Sequence, residues 1–387
     1  MSAHERPAHA SEQAGQRRLA PDLARGAMLL LIAMAYSGVY AGIAFGAPTP
    51  DQPPPDAIAR VLTVLLLDNR AFPMFAILFG CGMSWMIARR RAAGAGEPEM
   101  RRLVTRRSLL LLAFGAVHAL LVYQGEILTS YGLAGLVVGW LLFRPDRVLR
   151  RAIGVLAVCY AVTCTALMIS TAAAARLDAQ VADPAGYTTL QDWIGRLVAL
   201  PFLPLFLAAG YPLLLAVVIG FLAGRQGLFD DPGAHRGVLV RIAVGGVAVS
   251  VLGAVPAALI EVGVLQLSAL PTGVLLALQV LTGVLGGAGY AAVFALLALR
   301  LDAHRGAVTR AVAAVGQRSL TFYLFNSVVV AAVLHPDLLA VGRHVGSLGA
   351  LAVGFGSWSL ALLIATWLDR AGRAGPADAL LRTLVYR

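Results

Sequence analysis

From Ala27 to Leu368 the chain is almost continuously apolar, interrupted only by short segments that carry arginine. Inside hydrocarbon no water is present to satisfy backbone N–H and C=O groups, so a chain of this kind can only form helices or a closed barrel. Barrel strands would alternate apolar and polar residues, and these runs do not. The expectation is an all-α, polytopic integral membrane helical bundle. A helical span needs ~20 apolar residues. On that rule about ten spans fall at 27–46, 71–88, 107–123, 127–143, 151–173, 201–224, 241–263, 272–299, 319–335 and 347–368.

Charge gives these spans a direction. Only 13% of the 387 residues are charged, against about 25% in a soluble domain. The net charge of +11 comes from 31 basic residues, all of them arginine. Segments on one side of the proposed bundle hold 26 arginines, and segments on the other hold five: Arg60, Arg70, Arg176, Arg196 and Arg343. By the positive-inside rule the rich side is cytoplasmic. Both termini are expected there, in a multi-pass protein of a bacterial-type plasma (inner) membrane. A nucleic-acid binder would need a basic face on a soluble element, and no such element is present in this reading.

Three regions follow: a disordered cytoplasmic arm at 1–26, one transmembrane domain at 27–368, and a cytoplasmic tail at 369–387. The first apolar run lacks a small-residue cleavage site and reads as a retained helix. Among the outer segments, Ala47–Ala59 is rich in proline, and Ile58–Leu67 is too short for a full span and reads as an interfacial or half-inserted segment. Asp68 and Arg70 suggest a local ion pair at the outer rim. Ala175–Leu200 reads as an outer loop with an amphipathic helix lying on the membrane. Gly38, Gly42 and Gly46 form one small-residue ladder, and Gly283 with Gly287 another, at the spacing of close helix contacts. Cys81, Cys159 and Cys164 have neither disulfide nor zinc spacing and read as packing residues.

Ionisable groups inside a membrane are costly and so become candidates for function. His118 lies ~16 Å along its helix from Arg107. Glu126 falls in the short outer turn that follows, and Tyr131 comes one turn into the returning helix. One hairpin thus brings an imidazole, a carboxylate and a phenol towards one outward-facing pocket. An imidazole oriented by a carboxylate is how a general base is built. The bland alternative is a histidine that makes a structural hydrogen bond between helices. A second group, Asp22 and Arg25 with Gly26, sits at the inner mouth of the first helix. Arg25 reads either as a phosphate contact or as one more positive-inside residue, and Asp22 as a possible partner for it. The third group is Thr321, Tyr323 and Asn326, flanked by Ser319 and Ser327; it reads as interhelical hydrogen bonding or as substrate binding. No Walker loop, GxSxG elbow, HExxH or CxxCH is present. No metal site and no permanently bound cofactor are expected.

The run RRSLLLLAFGAVHALLVYQGEILTSYGLAGLVV resembles the core signature of the YeiB-like membrane proteins, whose domain is numbered 418 among those of unknown function. That signature reads RR-L-LL-x-x-G-x-x-H followed by a G-D-I-L-x-x-Y-A turn. His118, Gly125, Ile127, Leu128 and Tyr131 match it, and Glu126 replaces the usual Asp. DLARGAMLLLIAM is similar to the family's D-x-L-R-G opening through Asp22, Arg25 and Gly26, without the Asn that often follows. FPMFAILFGCGMSWMIARR resembles F-x-x-L-F-G-x-G through Phe75, Phe79, Gly80 and Gly82. GQRSLTFYLFNSVV resembles G-R-x-x-L-T-N-Y-L-x-Q-S, with Phe322 for Asn and Asn326 for Gln. The tail GRAGPADALLRTLVYR resembles G-P-x-E-x-L-x-R-x-L-T-Y, with Asp378 near the usual Glu.

The resemblance implies a relation to transmembrane acyltransferases, the heparan glucosaminide acetyltransferase type included. Those move an acyl group from cytoplasmic acyl-CoA to an acceptor on the far side. Under that expectation His118, Glu126 and Tyr131 are catalytic, while Asp22, Arg25, Thr321, Tyr323 and Asn326 bind substrate. The partners are the lipid bilayer, acyl-CoA as donor, and a small-molecule, lipid or glycan acceptor. The competing expectations are a transporter or exporter and a non-catalytic membrane partner. Transporters tend to carry repeats and broken helices, neither of which is evident in the sequence. No oligomeric state follows from the residues.

Overall fold

The computed structural model describes residues 19–43, 53–176 and 185–386, and every regular element among them is helical. Among the described residues, eight helices are long and apolar enough to cross a membrane, or nine if one sharply bent pair is taken as a single span. The ten expected spans are corrected accordingly. Leu128–Phe143 and Leu213–Arg225 are apolar but short. The second has 13 residues and rises about 20 Å, against ~30 Å of hydrocarbon. In the other direction, Leu190–Ala209 passes the test, where the sequence suggests a surface helix followed by the start of a span.

Helix α1 (Leu19–Tyr40) begins inside the expected arm, so Asp22 and Arg25 lie in its first turns, ahead of the predicted start at residue 27. Residues 1–18 lie outside the described residues. Helix α2 (Pro54–Leu66) opens with proline in its first turn, where the missing N–H costs nothing. Asn69, in the left-handed region at φ 59°, turns the chain into α3 (Ala71–Ala92). The arginines at 89–91 close α3 against the negative end of its dipole. Then come α4 (Glu97–Leu121), α5 (Leu128–Val138) running into a 3-10 turn, and α6 (Asp146–Ala175). The chain continues through α7 (Leu190–Ala199), α8 (Phe202–Ala209), α9 (Leu213–Arg225), α10 (Arg236–Glu261) and α11 (Ala269–Leu301). It ends with α12 (Ala307–Gln317), α13 (Ser319–Leu334), α14 (Ser347–Arg370) and α15 (Pro376–Tyr386).

Backbone approach at glycine sets the packing. A Cβ on Gly80 would run into the Val217 carbonyl, and one on Gly220 into that of Ile77, so α3 and α9 lie nearly backbone to backbone. At that separation Cys81 donates to the Gly220 carbonyl at 3.2 Å and Ser84 to that of Phe221 at 2.8 Å. Helix α1 meets α12 in the same way at Gly26 and Gly316, and Trp358 Nε1 donates to the Gly26 carbonyl at 2.9 Å. Gly283 and Gly287 do serve a close contact, against Asn69 and the start of α3. The other ladder does not. Among the described residues nothing lies within 4 Å of a Cβ on Gly38 or Gly42, and Gly46 is outside them. Cys81 and Cys164 are buried, whereas Cys159 is exposed on α6.

Two features depart further from expectation. The Asp68–Arg70 pair does not form. Asp68 instead binds Arg60 Nη1 at 3.0 Å, and Arg60 also grips Glu261 with Nε at 3.0 Å and Nη2 at 2.8 Å. Arg70 donates to the carbonyls of Val64, Asp68 and Ser250. Helix α2 is therefore fixed to α10 by buried charge. Second, α12 and α13 meet at 91°, a broken span that the sequence did not disclose. Arg318 holds the break, donating to the carbonyls of Ala314 and Arg373 and pairing with Asp369 at 3.1 Å.

Candidate functional site

The hairpin of α4 and α5 carries the site. Gly115 has no side chain to obstruct α5, and a Cβ there would strike the Thr129 amide. One turn later His118 is 4% exposed, so its ring is inside the bundle and not towards lipid. Glu126 is fully buried in the turn. Its carboxylate accepts from the amides of Leu128 at 2.5 Å and Thr129 at 2.9 Å, and from the Thr129 hydroxyl. It thereby satisfies N–H groups that the start of α5 would otherwise leave unpaired.

The expected imidazole–carboxylate bond is absent. Neither nitrogen of His118 has a hydrogen-bond partner among the described residues. Its neighbour is Tyr323, edge-on with ring centroids 5.4 Å apart. The Tyr323 hydroxyl accepts from the Ile127 amide at 3.1 Å and lies 2.6 Å from the Tyr36 hydroxyl. Tyr323 thus links the histidine to the turn, a role that the sequence reading gave to Glu126. Tyr131 is buried against α3, its hydroxyl donating to the Phe72 carbonyl at 3.2 Å and its ring 4.6 Å from that of Phe75.

The remaining predicted residues divide. Asn326 shares a face with Tyr323, accepts from Ser357 at 3.1 Å, and leaves its Nδ2 without a partner. Thr321 is drawn elsewhere. Its hydroxyl donates to Asp378 at 2.6 Å, and its amide to the same carboxylate at 3.0 Å, which ties the predicted tail, as α15, to the start of α13. Asp22 is buried and Arg25 half-buried on α1, against the opposite end of the bundle. Among the described residues no cluster of three histidine, cysteine or acidic side chains could hold a metal.

Aromatic residues missed by the sequence reading extend the site. Tyr123 lies 4.5 Å from Tyr36 and 5.1 Å from Tyr40, and the buried His335 contacts both Tyr40 and Tyr187. Over them sits the segment leading into α7. Arg196, 2% exposed, stacks 3.9 Å from the Tyr187 centroid and donates to the carbonyls of Gly186 and Leu120 at 3.0 and 3.2 Å. The end of α4 is thereby latched under this segment. Two signals were legible. Tyr36 and Tyr40 are one turn apart on an apolar helix, and Arg196 is a charge on the arginine-poor side.

Residues 223–387 match the family described as "Protein of unknown function (DUF418)". The hairpin of His118 and Glu126 lies ahead of the matched stretch. Two bacterial relatives are similar over a shorter length. "Uncharacterized protein YxaH" of Bacillus subtilis (strain 168) is 37% identical over 92 residues, covering 24% of this chain and 22% of that protein. "Uncharacterized protein YeiB" of Escherichia coli (strain K12) is 34% identical over 91 residues, covering 24% and 21% respectively. The similarity thus spans less than a quarter of either relative. These relations agree with the YeiB-like resemblance of the motifs, and the helices are those of a multi-pass membrane protein.

Proposed function

We propose that the protein is a transmembrane acyltransferase, passing an acyl group from cytoplasmic acyl-CoA to a small-molecule, lipid or glycan acceptor at the outer face. Both termini are then cytoplasmic, in a bacterial-type inner membrane. The observation that carries this reading is His118: a buried imidazole with both nitrogens unmet, beside the bonded phenols of Tyr323 and Tyr36. A buried polar group without a partner costs free energy, and a substrate hydroxyl or amine would supply the missing bond. In the reaction His118 takes the proton of the acceptor as its oxygen or nitrogen attacks the thioester carbonyl. The C–S bond breaks, and the proton passes to the departing thiolate of CoA. Tyr323 positions the imidazole, the free Nδ2 of Asn326 faces the acceptor, and Asp22 and Arg25 serve the donor end. Glu126 and Tyr131 hold the hairpin in shape.

The reading requires donor binding. Calorimetry on the purified protein should detect acyl-CoA, and Arg25→Ala should weaken that binding at least severalfold while Arg25→Lys restores only part, because the bidentate fork is lost. Absence of acyl-CoA binding by the wild type would remove the donor role and the proposal with it.

A transporter is the second reading, favoured by the 91° break between α12 and α13, since substrate sites in transporters are built at broken helices. Transport without acyl transfer in proteoliposomes would favour it.

Topology can be checked separately. In a background without native cysteines, Cys introduced at Ser268 should react with an impermeant thiol reagent from outside, and Cys at Gly96 or Ala303 should not. Labelling at Gly96 from outside would invert the arrangement, because it would place the arginine-rich segments outside.

A further inference from the structure

Two guanidiniums from different helices approach one face of α3. Arg25 of α1 comes within 3.2 Å of the point where a Cβ on Gly82 would sit. Arg107 of α4 lies with Nη1 3.8 Å from Met86 Sδ and with Cζ 5.7 Å from the Phe79 ring centroid. Phe79, Gly82 and Met86 are three and four residues apart and so share that face. The cluster lies at the arginine-rich end of α3, one to three turns before Arg89.

Two donors at this place, Arg107 Nε and Trp85 Nε1, have no acceptor among the described residues. Arg107 Nε is buried with no hydrogen-bond partner among the described residues, and the thioether of Met86 is a weak acceptor for Nη1. Trp85, three residues beyond Gly82, has a buried indole N–H that is also unmet. Both orphaned groups donate only, and neither can be satisfied by another donor. Two carboxylates, Asp22 and Asp230, belong to the same region and have interactions of their own. The argument therefore rests on the unmet donors and not on net charge. Gly82 matters as well, since any side chain there would press on Arg25.

We propose that Arg107, together with Arg25 and Trp85, binds a phosphate-bearing ligand at the arginine-rich end of the bundle. A carboxylate offers two oxygens, whereas a phosphate offers three or four and can accept from the Arg107 fork and an indole N–H together, with the positive charge of Arg25 alongside. Both arginines keep part of their surface exposed, which leaves a way in. The phosphate can belong to a soluble ligand or to a lipid headgroup. The site deepens the donor half of the proposed function and rests on that reading only for a coenzyme A ligand.

The test is a thermal-shift and calorimetric titration of the full chain in nanodiscs with three probes: inorganic pyrophosphate, coenzyme A, and phosphatidic acid added to a neutral bilayer. At least one should stabilise the wild type in a saturable way, and which one does so names the source. Arg107→Gln should weaken that probe about tenfold or more, as loss of charge-assisted hydrogen bonds predicts. Arg107→Lys, which keeps the charge without Nε, should recover only part, and Trp85→Phe should weaken binding less. Arg102→Gln, on the exposed side of the same helix, should bind as wild type. If Arg107→Gln fails to fold, Arg107→Lys and Trp85→Phe carry the comparison. No stabilisation of the wild type by any probe, or undiminished binding in the Arg107 variants, overturns the site. Arg107-dependent coenzyme A binding without acyl transfer would leave the site standing and remove the acyltransferase reading. Acyl transfer with an unchanged donor KM in Arg107→Gln would leave the acyltransferase reading standing and remove coenzyme A as the ligand of this site.

Discussion

Replacing His118 with alanine should lower acyl-transfer turnover about 10²–10⁴-fold, the range that general-base catalysis supplies. The readout is release of the CoA thiol in proteoliposomes, which follows the reaction whichever acceptor is used. Donor KM should change little, because the ring lies near the C-terminal end of α4 and Arg25 near the opposite end of the bundle. A packing histidine would behave differently. Its loss would lower the melting temperature and leave turnover per folded molecule within a few fold of wild type, which would end the catalytic assignment. Tyr323→Phe separates positioning from packing, since the ring contact of 5.4 Å survives while the hydroxyl bonds to Ile127 and Tyr36 are lost. It should shift the pH profile of turnover and leave stability nearly intact. Glu126→Gln should act mainly on stability, because its carboxylate accepts from two backbone amides at the start of α5. A capping loss of about 1 kcal/mol is the scale expected. Glu126→Asp keeps the charge and should be milder.

The largest stability effect is expected at Arg60. Its guanidinium meets Glu261 through two bonds and Asp68 through a third, with Arg60 5% and Glu261 1% exposed. Arg60→Met takes the guanidinium away from a buried carboxylate that it meets with two bonds, and breaking a buried pair in this way costs about 3–5 kcal/mol. Reversible unfolding in mixed micelles should register that loss. The double variant Arg60→Met with Glu261→Met should recover most of it, because replacing a whole buried pair by apolar groups is often neutral. A single variant as stable as wild type would mean that this network contributes nothing to holding α2 against α10. The same measurement on Asp68→Asn should give a smaller loss, since Asp68 is more exposed, at 16% of its side chain.

The fold class was set by the sequence because hydrocarbon admits few solutions. Long apolar runs in which every backbone group must bond internally become helices wherever they fall, and so most spans were found at nearly their observed positions. Helix ends were less visible. Leu19–Asp22 continue α1 ahead of residue 27 because Leu19 and Leu23 bury against other helices, and no single helix carries that information. Span length misled twice. Phe202–Arg225 reads as one continuous apolar run, yet it breaks at Gly210–Pro212, and α9 is held by glycine contacts with α3. The break at Arg318 was equally hidden, since its stabilising acceptors come from Ala314, Asp369 and Arg373, two of them distant in the chain.

The site divides along the same line. That His118, Glu126 and Tyr131 would share one hairpin followed from spacing alone, because a short turn between two helices leaves little freedom. Which groups they would meet did not. A carboxylate eight residues after an imidazole suggests a pair, but the amides at the start of α5 are nearer and unsatisfied, and they take Glu126. The partner of His118 comes instead from Tyr323, and that phenol is set by Tyr36. Periodicity and local charge are properties of neighbouring residues, so sequence alone determined helices, spans and the hairpin. Hydrogen-bond partners are settled by competition among every donor and acceptor that folding brings within 3 Å or so, and only the tertiary structure decides that contest.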